Sequence, residues 1–168
     1  MKRELHVGGT RMFIELEGVF AREGEKKEIN CDFSLDESGF VTPVRVNGEV
    51  VNRTGIVYLD ARAEFDYSTF CARCGKPLLR HAHVPIRHIL VSHLDDENDD
   101  DDYIIVDNMR FDLDGLVRED IFLALPSRFL CKDDCKGLCP LCGSDLNSGE
   151  CGCKKPTDAR WDALKDLF

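Results

Sequence analysis

Residues 57–78 read VYLDARAEFDYSTFCARCGKPL. From Val57 to Tyr67 every second residue is apolar or aromatic, and four of the five positions between them carry a charge. A period of two predicts a long β-strand with one buried and one solvated face. A second alternating segment, Leu78–Val91, follows the cysteine pair Cys71-Ala-Arg-Cys74. We therefore predict a long antiparallel hairpin from Gly55 to Val91 with the cysteine pair at its tip.

The flanking segments predict an α+β fold. Asp112 is a helix N-cap candidate, because an apolar stripe at helical spacing follows it and Pro126 ends the pattern. Asn47-Gly48 between two valine-rich segments predicts a further hairpin turn. The expected architecture is an antiparallel β-sheet with a long hairpin, one packed helix and a small zinc-bound C-terminal module. The expected domains are 1–126, which is β-rich, and 127–168, a cysteine-rich module with an amphipathic tail.

Composition and charge narrow the classes of function. With 22 Lys and Arg against 32 Asp and Glu, the formal net charge of −10 disfavours sequence-independent nucleic-acid binding, which needs many basic side chains. The chain has no apolar segment of membrane-spanning length and no N-terminal signal pattern, so we expect a cytoplasmic protein without a membrane partner. Residues 95–102, DDENDDDD, repel one another and predict a solvated loop or a docking surface for a basic protein.

The nine cysteines carry the strongest chemical signal. Cys31 stands alone and is expected to be a small buried apolar residue. The other eight form four close pairs, which is the spacing of metal ligands in a reducing compartment rather than of a secreted disulfide framework. They are Cys71, Cys74, Cys131, Cys135, Cys139, Cys142, Cys151 and Cys153. Eight thiolates make two closed four-thiolate sites, for which zinc is the default metal. Loaded with two Zn²⁺, the chain would carry a charge of about −14.

Two groupings of the eight cysteines are compatible with the spacing. The favoured one joins Cys139, Cys142, Cys151 and Cys153 in one compact site, and the hairpin tip to Cys131 and Cys135 in the other. That second zinc would clamp the hairpin to the segment after the helix. In the rival grouping the four ligands are Cys135, Cys139, Cys142 and Cys151, and the hairpin tip recruits His81 or His83.

Catalysis has no positive support in the sequence. A redox-active CxxC opens a helix in a βαβ unit, whereas this one lies between two strands, and closed four-thiolate sites leave no position for a reactive water. No phosphate-binding glycine loop or nucleophile–base arrangement is present, so we expect neither an enzyme nor a small-molecule substrate. The alternative to a binding function is a thiol-based redox or zinc-sensing protein.

Four segments together resemble a known family. They are residues 70–77, FCARCGKP, residues 119–126, EDIFLALP, and residues 129–143, FLCKDDCKGLCPLCG, followed by 161–165, WDALK. In this order they are similar to the YceD-like family, also called large ribosomal RNA subunit accumulation proteins, from about Gly48 to the C-terminus. The resemblance implies a cytoplasmic, non-enzymatic factor in ribosome biogenesis whose first cysteine pair is Cys71 and Cys74. The tail cysteines belong to a subset of members.

The partner implied by this resemblance is a ribosomal protein or the large-subunit rRNA precursor. A local basic stretch surrounds the hairpin tip, where it is able to meet phosphate or a splayed base. Its residues are Arg73, Lys76, Arg80 and Arg87. The acidic surfaces elsewhere would instead shield a basic ribosomal protein before assembly. We expect an assembly factor that contacts its partner through the tip.

Overall fold

The computed structural model describes residues 12–93 and 103–153 and divides the chain into two compact units. The first unit comprises Met1–Thr69 with Leu79–Ser127, and the second unit comprises Phe70–Leu78 with Arg128–Phe168. The hairpin tip therefore belongs to the same unit as the cysteine-rich C-terminal segment. The acidic block 95–102 and the 161–165 motif, for which we predicted a loop and an amphipathic tail, lie outside the described residues.

The described chain is built mainly of strands. In order, the elements are β1 (Phe13–Glu15), α1 (Glu17–Ala21), β2 (Lys26–Phe33), β3 (Val44–Arg53), β4 (Ile56–Phe70), β5 (Pro77–Val91), β6 (Tyr103–Ile105), a 3-10 helix (Asp107–Met109), β7 (Arg110–Asp112) and α2 (Leu113–Ala124). One sheet has the order β2-β3-β4-β5-β6, and a second pairs β1 with β7. The protein thus combines antiparallel and mixed sheets with few helices.

The long hairpin follows the sequence pattern. β4 and β5 each have 15 residues and are neighbours in the sheet. Asp66 contacts His81 at 2.9 Å, and Asp60 contacts Arg87 at 3.6 Å, six residues further from the tip on both strands, as antiparallel strands require. The apolar set from Val57 to Phe65 is buried, so the period of two correctly identified the core face.

Two details of the predicted sheet are wrong. The large sheet is mixed rather than purely antiparallel, because β6 pairs parallel to β5. Asn47-Gly48 does not turn but lies in the middle of β3, opposite Arg62 and Ala61 of β4.

Gly48 marks a close approach of two backbones rather than a turn. A Cβ at this position would lie 2.3 Å from the Cα of Ala61, so only glycine fits the pairing. The turn comes later, at Thr54-Gly55, where φ values of 53° and 85° have the sign that a type I′ hairpin turn needs. Asn52 precedes this turn, buried, and accepts a hydrogen bond from the Gly55 N–H at 3.0 Å.

The predicted helix α2 begins and ends where the sequence indicated. The Asp112 carboxylate accepts a hydrogen bond from the Gly115 N–H at 3.2 Å and so caps the first turn. Leu113, Val117 and Ile121, four residues apart, are buried in the same hydrophobic core as the apolar face of β4. Among the described residues, one hydrophobic core therefore holds the first unit together.

Candidate metal centres

Two turns of the second unit have the same backbone geometry. In each, the N–H of the glycine after a CxxC pair donates to the carbonyl of the first cysteine: Gly75 to Cys71 at 2.9 Å, and Gly143 to Cys139 at 2.8 Å. Both glycines have positive φ, 70° and 74°, which side-chain-bearing residues adopt at a cost. This shared turn brings the two sulfurs of each pair to one side.

The first cluster unites the hairpin tip with the segment after α2. The Sγ atoms of Cys71, Cys74, Cys131 and Cys135 lie within 4.8 Å of one another. Cys71 Sγ is 3.8 Å from Cys135 Sγ, and Cys74 Sγ is 3.7 Å from Cys131 Sγ. A tetrahedral zinc site with Zn–S bonds of about 2.3 Å places its sulfurs about 3.8 Å apart. The cluster therefore has the dimensions of a four-thiolate metal site, and its separations exceed a disulfide bond.

The second cluster is local in sequence and more exposed. It consists of Cys139, Cys142, Cys151 and Cys153, whose sulfurs also lie within 4.8 Å of one another. Cys142 and Cys153 are exposed, whereas three of the four cysteines in the first cluster are buried. The two clusters therefore have the same type and number of ligands but differ in solvent exposure.

These clusters are the two sets that the favoured grouping of the sequence named, and not those of the rival grouping. His81, which the rival recruited, contacts Asp66 instead. All four ligands in each set come from this chain, and sulfur is the donor that zinc prefers in structural sites. The residues present therefore fit a metal ion, while the identity of the ion stays a prediction. Cys31 is half-buried outside both clusters, and burial raises its pKa to about 11.

The crowded thiols have widely split pKa values. A hydrogen bond with Cys135 raises the pKa of Cys131 to about 12, because its proton is shared within the cluster. In the second cluster, the hydroxyl of Ser144, 3.2 Å from Cys142 Sγ, lowers the pKa of Cys142 to about 6. A divalent cation is the species that stabilises all four sulfurs of such a cluster as thiolates.

A polar network joins the segments that carry the two clusters, and sequence reasoning missed it. Asn147, between the ligands of the second cluster, donates from Nδ2 to Cys135 Sγ of the first cluster at 3.5 Å. Asp145 accepts from the same amide at 2.6 Å and pairs with Lys76 at 2.9 Å. The available signal was the Asp-x-Asn spacing, since Asp and Asn side chains close local turns by bonding the backbone two residues on.

The predicted basic contact residues already have partners within the chain. Arg73 donates to the carbonyl of Cys135 at 2.7 Å, and Lys76 pairs with Asp145. In the first unit Arg87 lies 3.6 Å from Asp60, and both side chains are largely exposed. Arg80 is exposed and also interacts within the protein. A partner-binding role for these four residues stays a prediction.

Comparison with known proteins identifies the family. The model of the family "Large ribosomal RNA subunit accumulation protein YceD" matches residues 59–168, which include nearly all of the β4–β5 hairpin and all eight paired cysteines. The chain belongs to this family. The family's name describes an accumulation factor rather than an enzyme. No solved structure matches the chain.

Curated relatives are distant and differ in length. An uncharacterized protein of Mycobacterium tuberculosis is 30% identical over 101 residues, covering 58% of this chain and 49% of the relative. The uncharacterized protein YlbN of Bacillus subtilis is 27% identical over 130 residues, 76% of each chain. A chloroplastic maize protein named as a large ribosomal RNA subunit accumulation protein YCED homolog is 27% identical over 168 residues, 80% of this chain and 57% of its own. The chain spans about half the length of the mycobacterial relatives it matches.

Within residues 12–93 and 103–153, no helix combines the length and apolar character needed to cross a bilayer.

Proposed function

We propose that this protein is a non-enzymatic, cytoplasmic zinc-binding factor that supports accumulation of large-subunit ribosomal RNA during ribosome assembly. The match of the family model over residues 59–168 carries this proposal. The factor acts by binding a ribosomal protein or nascent rRNA, with the hairpin tip as the contact.

The zinc part of the proposal rests on the two sulfur clusters. Each offers four cysteine sulfurs that lie within 4.8 Å of one another, enough to fill the coordination sphere of zinc and leave no position for a substrate. The zinc ions therefore have a structural role: one holds Cys71 and Cys74 of the tip against Cys131 and Cys135, and the other folds the loop that follows. The tip is then presented to a partner as a rigid surface.

Charge favours a basic ribosomal protein over RNA as the direct partner. The chain carries −10 before metal binding, and thiolate ligation makes it more acidic. Arg73 and Lys76 are held by a carbonyl and a carboxylate of their own unit, which reduces what they offer to phosphate. A long acidic block at 95–102 adds attraction for Lys- and Arg-rich proteins.

A pull-down of the tagged chain from native lysate, split into nuclease-treated and untreated halves, tests the function. A ribosomal protein retained after nuclease treatment supports protein binding. Large-subunit rRNA enriched only without nuclease supports RNA contact, and the variant Arg80→Glu/Arg87→Glu should then lose it. Retention of neither, together with normal large-subunit rRNA levels after depletion of the protein, contradicts the proposal.

The metal content is tested separately by native mass spectrometry of the purified chain. We expect two zinc ions per chain and thiols that do not form disulfides on mild oxidation. A chain that carries no metal and forms a reversible disulfide would instead favour the thiol-based redox function.

A further inference from the structure

The side chain of Asn147 links the two sulfur clusters. It belongs to the loop between Cys142 and Cys151, whose ends are ligands of the second cluster, yet its Nδ2 donates to Cys135 Sγ of the first. Its Oδ1 accepts from the Lys136 N–H at 2.9 Å. The Asn147 side chain therefore forms hydrogen bonds both with the sulfur of Cys135, a ligand of the first cluster, and with the backbone N–H of the next residue, Lys136.

The orientation of this amide is fixed by its neighbours. Nδ2 also donates to Asp145 Oδ1 at 2.6 Å, and the backbone N–H of Asn147 donates to the same oxygen at 2.9 Å. Because both Nδ2 partners are acceptors, a flipped amide would place oxygen against carboxylate and sulfur. Lys76, next to the first CxxC turn, holds the other oxygen of Asp145 at 2.9 Å.

The backbone reinforces the same connection. The Leu146 N–H donates to the Gly137 carbonyl at 2.9 Å, and the Leu138 N–H donates to the Arg73 carbonyl at 3.1 Å. The loop that carries Asn147 is therefore attached to the chain that carries the first cluster. An ion that fixes the ends of this loop also fixes the position of Asn147.

We propose that Asn147 is a positioning residue that couples the two metal sites, so that a zinc ion in the second cluster strengthens zinc binding in the first. This coupling rests on the proposed zinc binding. The N–H···S bond stabilises the Cys135 thiolate, and such supporting contacts to a metal ligand typically contribute 10- to 100-fold in affinity. Coupling between two binding sites is reciprocal, so the first zinc strengthens the second by the same factor.

A double-mutant cycle on the full chain tests the coupling. Zinc affinity of the first cluster is measured by chelator competition in the wild type, in Asn147→Ala, in Cys142→Ser/Cys153→Ser, and in the combined variant. We expect loss of the second cluster to weaken the first about tenfold in the wild-type background, and by less than twofold once Asn147 is removed. Ser148→Ala, an exposed neighbour on the same loop, is the matched control and should behave as wild type.

Asn147→Asp gives a second measurement with all eight cysteines present. It keeps an oxygen for the Lys136 N–H but replaces the donor to sulfur with a negatively charged oxygen. In the cobalt(II)-substituted chain, we expect the thiolate-to-metal charge-transfer band of the first cluster to move to longer wavelength. A contact that served only to hold the loop would leave this band in place.

The outcomes separate the coupling from the function on which it rests. A wild-type chain without tightly bound zinc overturns both. Two bound zinc ions with the same loss of affinity in both Asn147 backgrounds, or an unchanged charge-transfer band in Asn147→Asp, overturns the coupling alone.

Discussion

Substitution of Gly137 by alanine should weaken zinc binding more than any other glycine-to-alanine change in the second unit. Gly137 lies between ligands of the two clusters, is buried, and has φ of 78°. An added Cβ would lie 2.8 Å from the Arg73 carbonyl oxygen, which accepts a hydrogen bond from the Leu138 N–H. The substitution therefore strains the backbone and also pushes the two segments apart.

The magnitude follows from these two effects. A left-handed conformation costs a side-chain-bearing residue about 1 kcal/mol. The clash with a backbone atom and the weakened Leu138 hydrogen bond add about 2 kcal/mol. Because the folding of such a unit is linked to metal binding, a total of about 3 kcal/mol corresponds to roughly 150-fold weaker apparent zinc affinity.

Gly143→Ala is the matched control. Gly143 has nearly the same φ, 74°, but a Cβ there meets no atom within 4 Å. We expect a loss of only about fivefold, from the conformational cost alone. Chelator competition on both full-length variants measures the difference. Affinities within threefold of each other would refute the inference that close packing against the Arg73 carbonyl holds the unit together.

Three further substitutions or reagents test the first unit. Gly48→Ala should lower the free energy of unfolding, measured in urea, by about 2 kcal/mol or more, because the new methyl group clashes with the Ala61 backbone. A decrease of less than about 0.5 kcal/mol would contradict the close approach of the two strands. Asn52→Ala should lower the free energy of unfolding by about 2–4 kcal/mol, because the buried Asn52 amide also donates a hydrogen bond to an α1 carbonyl at 2.8 Å. In the control Asn47→Ala, at an exposed position, the free energy of unfolding should change by less than about 0.5 kcal/mol. In the zinc-loaded chain, Cys31 should be the one thiol open to alkylation. Because its pKa is raised to about 11, it should have about 100-fold less thiolate at pH 8 than a free cysteine and should react correspondingly slowly. Rapid alkylation near pH 8 would contradict this effect of burial.

The parts of the fold that were predictable have local causes. The alternation from Val57 to Phe65 encodes the strand, because a two-residue period leaves only one face to bury. The N-cap at Asp112 and the stripe on α2 encode the helix for an equally local reason. The glycine after each CxxC pair likewise encodes its turn, since glycine adopts a positive φ without the steric cost that a side chain brings.

The two wrong predictions, the turn at Asn47-Gly48 and the purely antiparallel sheet, have non-local causes. Asn47-Gly48 has the sequence pattern of a turn, but the role of Gly48 is set by Ala61, which lies 13 residues later in the chain and directly opposite it on the neighbouring strand. The parallel pairing of β6 with β5 depends on how the chain returns to the sheet, which no local pattern records.

For the cysteines too, some features follow from the local sequence and others only from the tertiary structure. Residue type and spacing alone predicted eight ligands in two sets of four, because thiolate chemistry and short spacings are properties of the linear chain. Only the tertiary structure brings Cys74 within 3.7 Å of Cys131, 57 residues away, and places the Asn147 amide on Cys135. Contacts of this kind depend on the angle at which separate segments meet, and that angle is set by packing of the whole unit rather than by any segment within it.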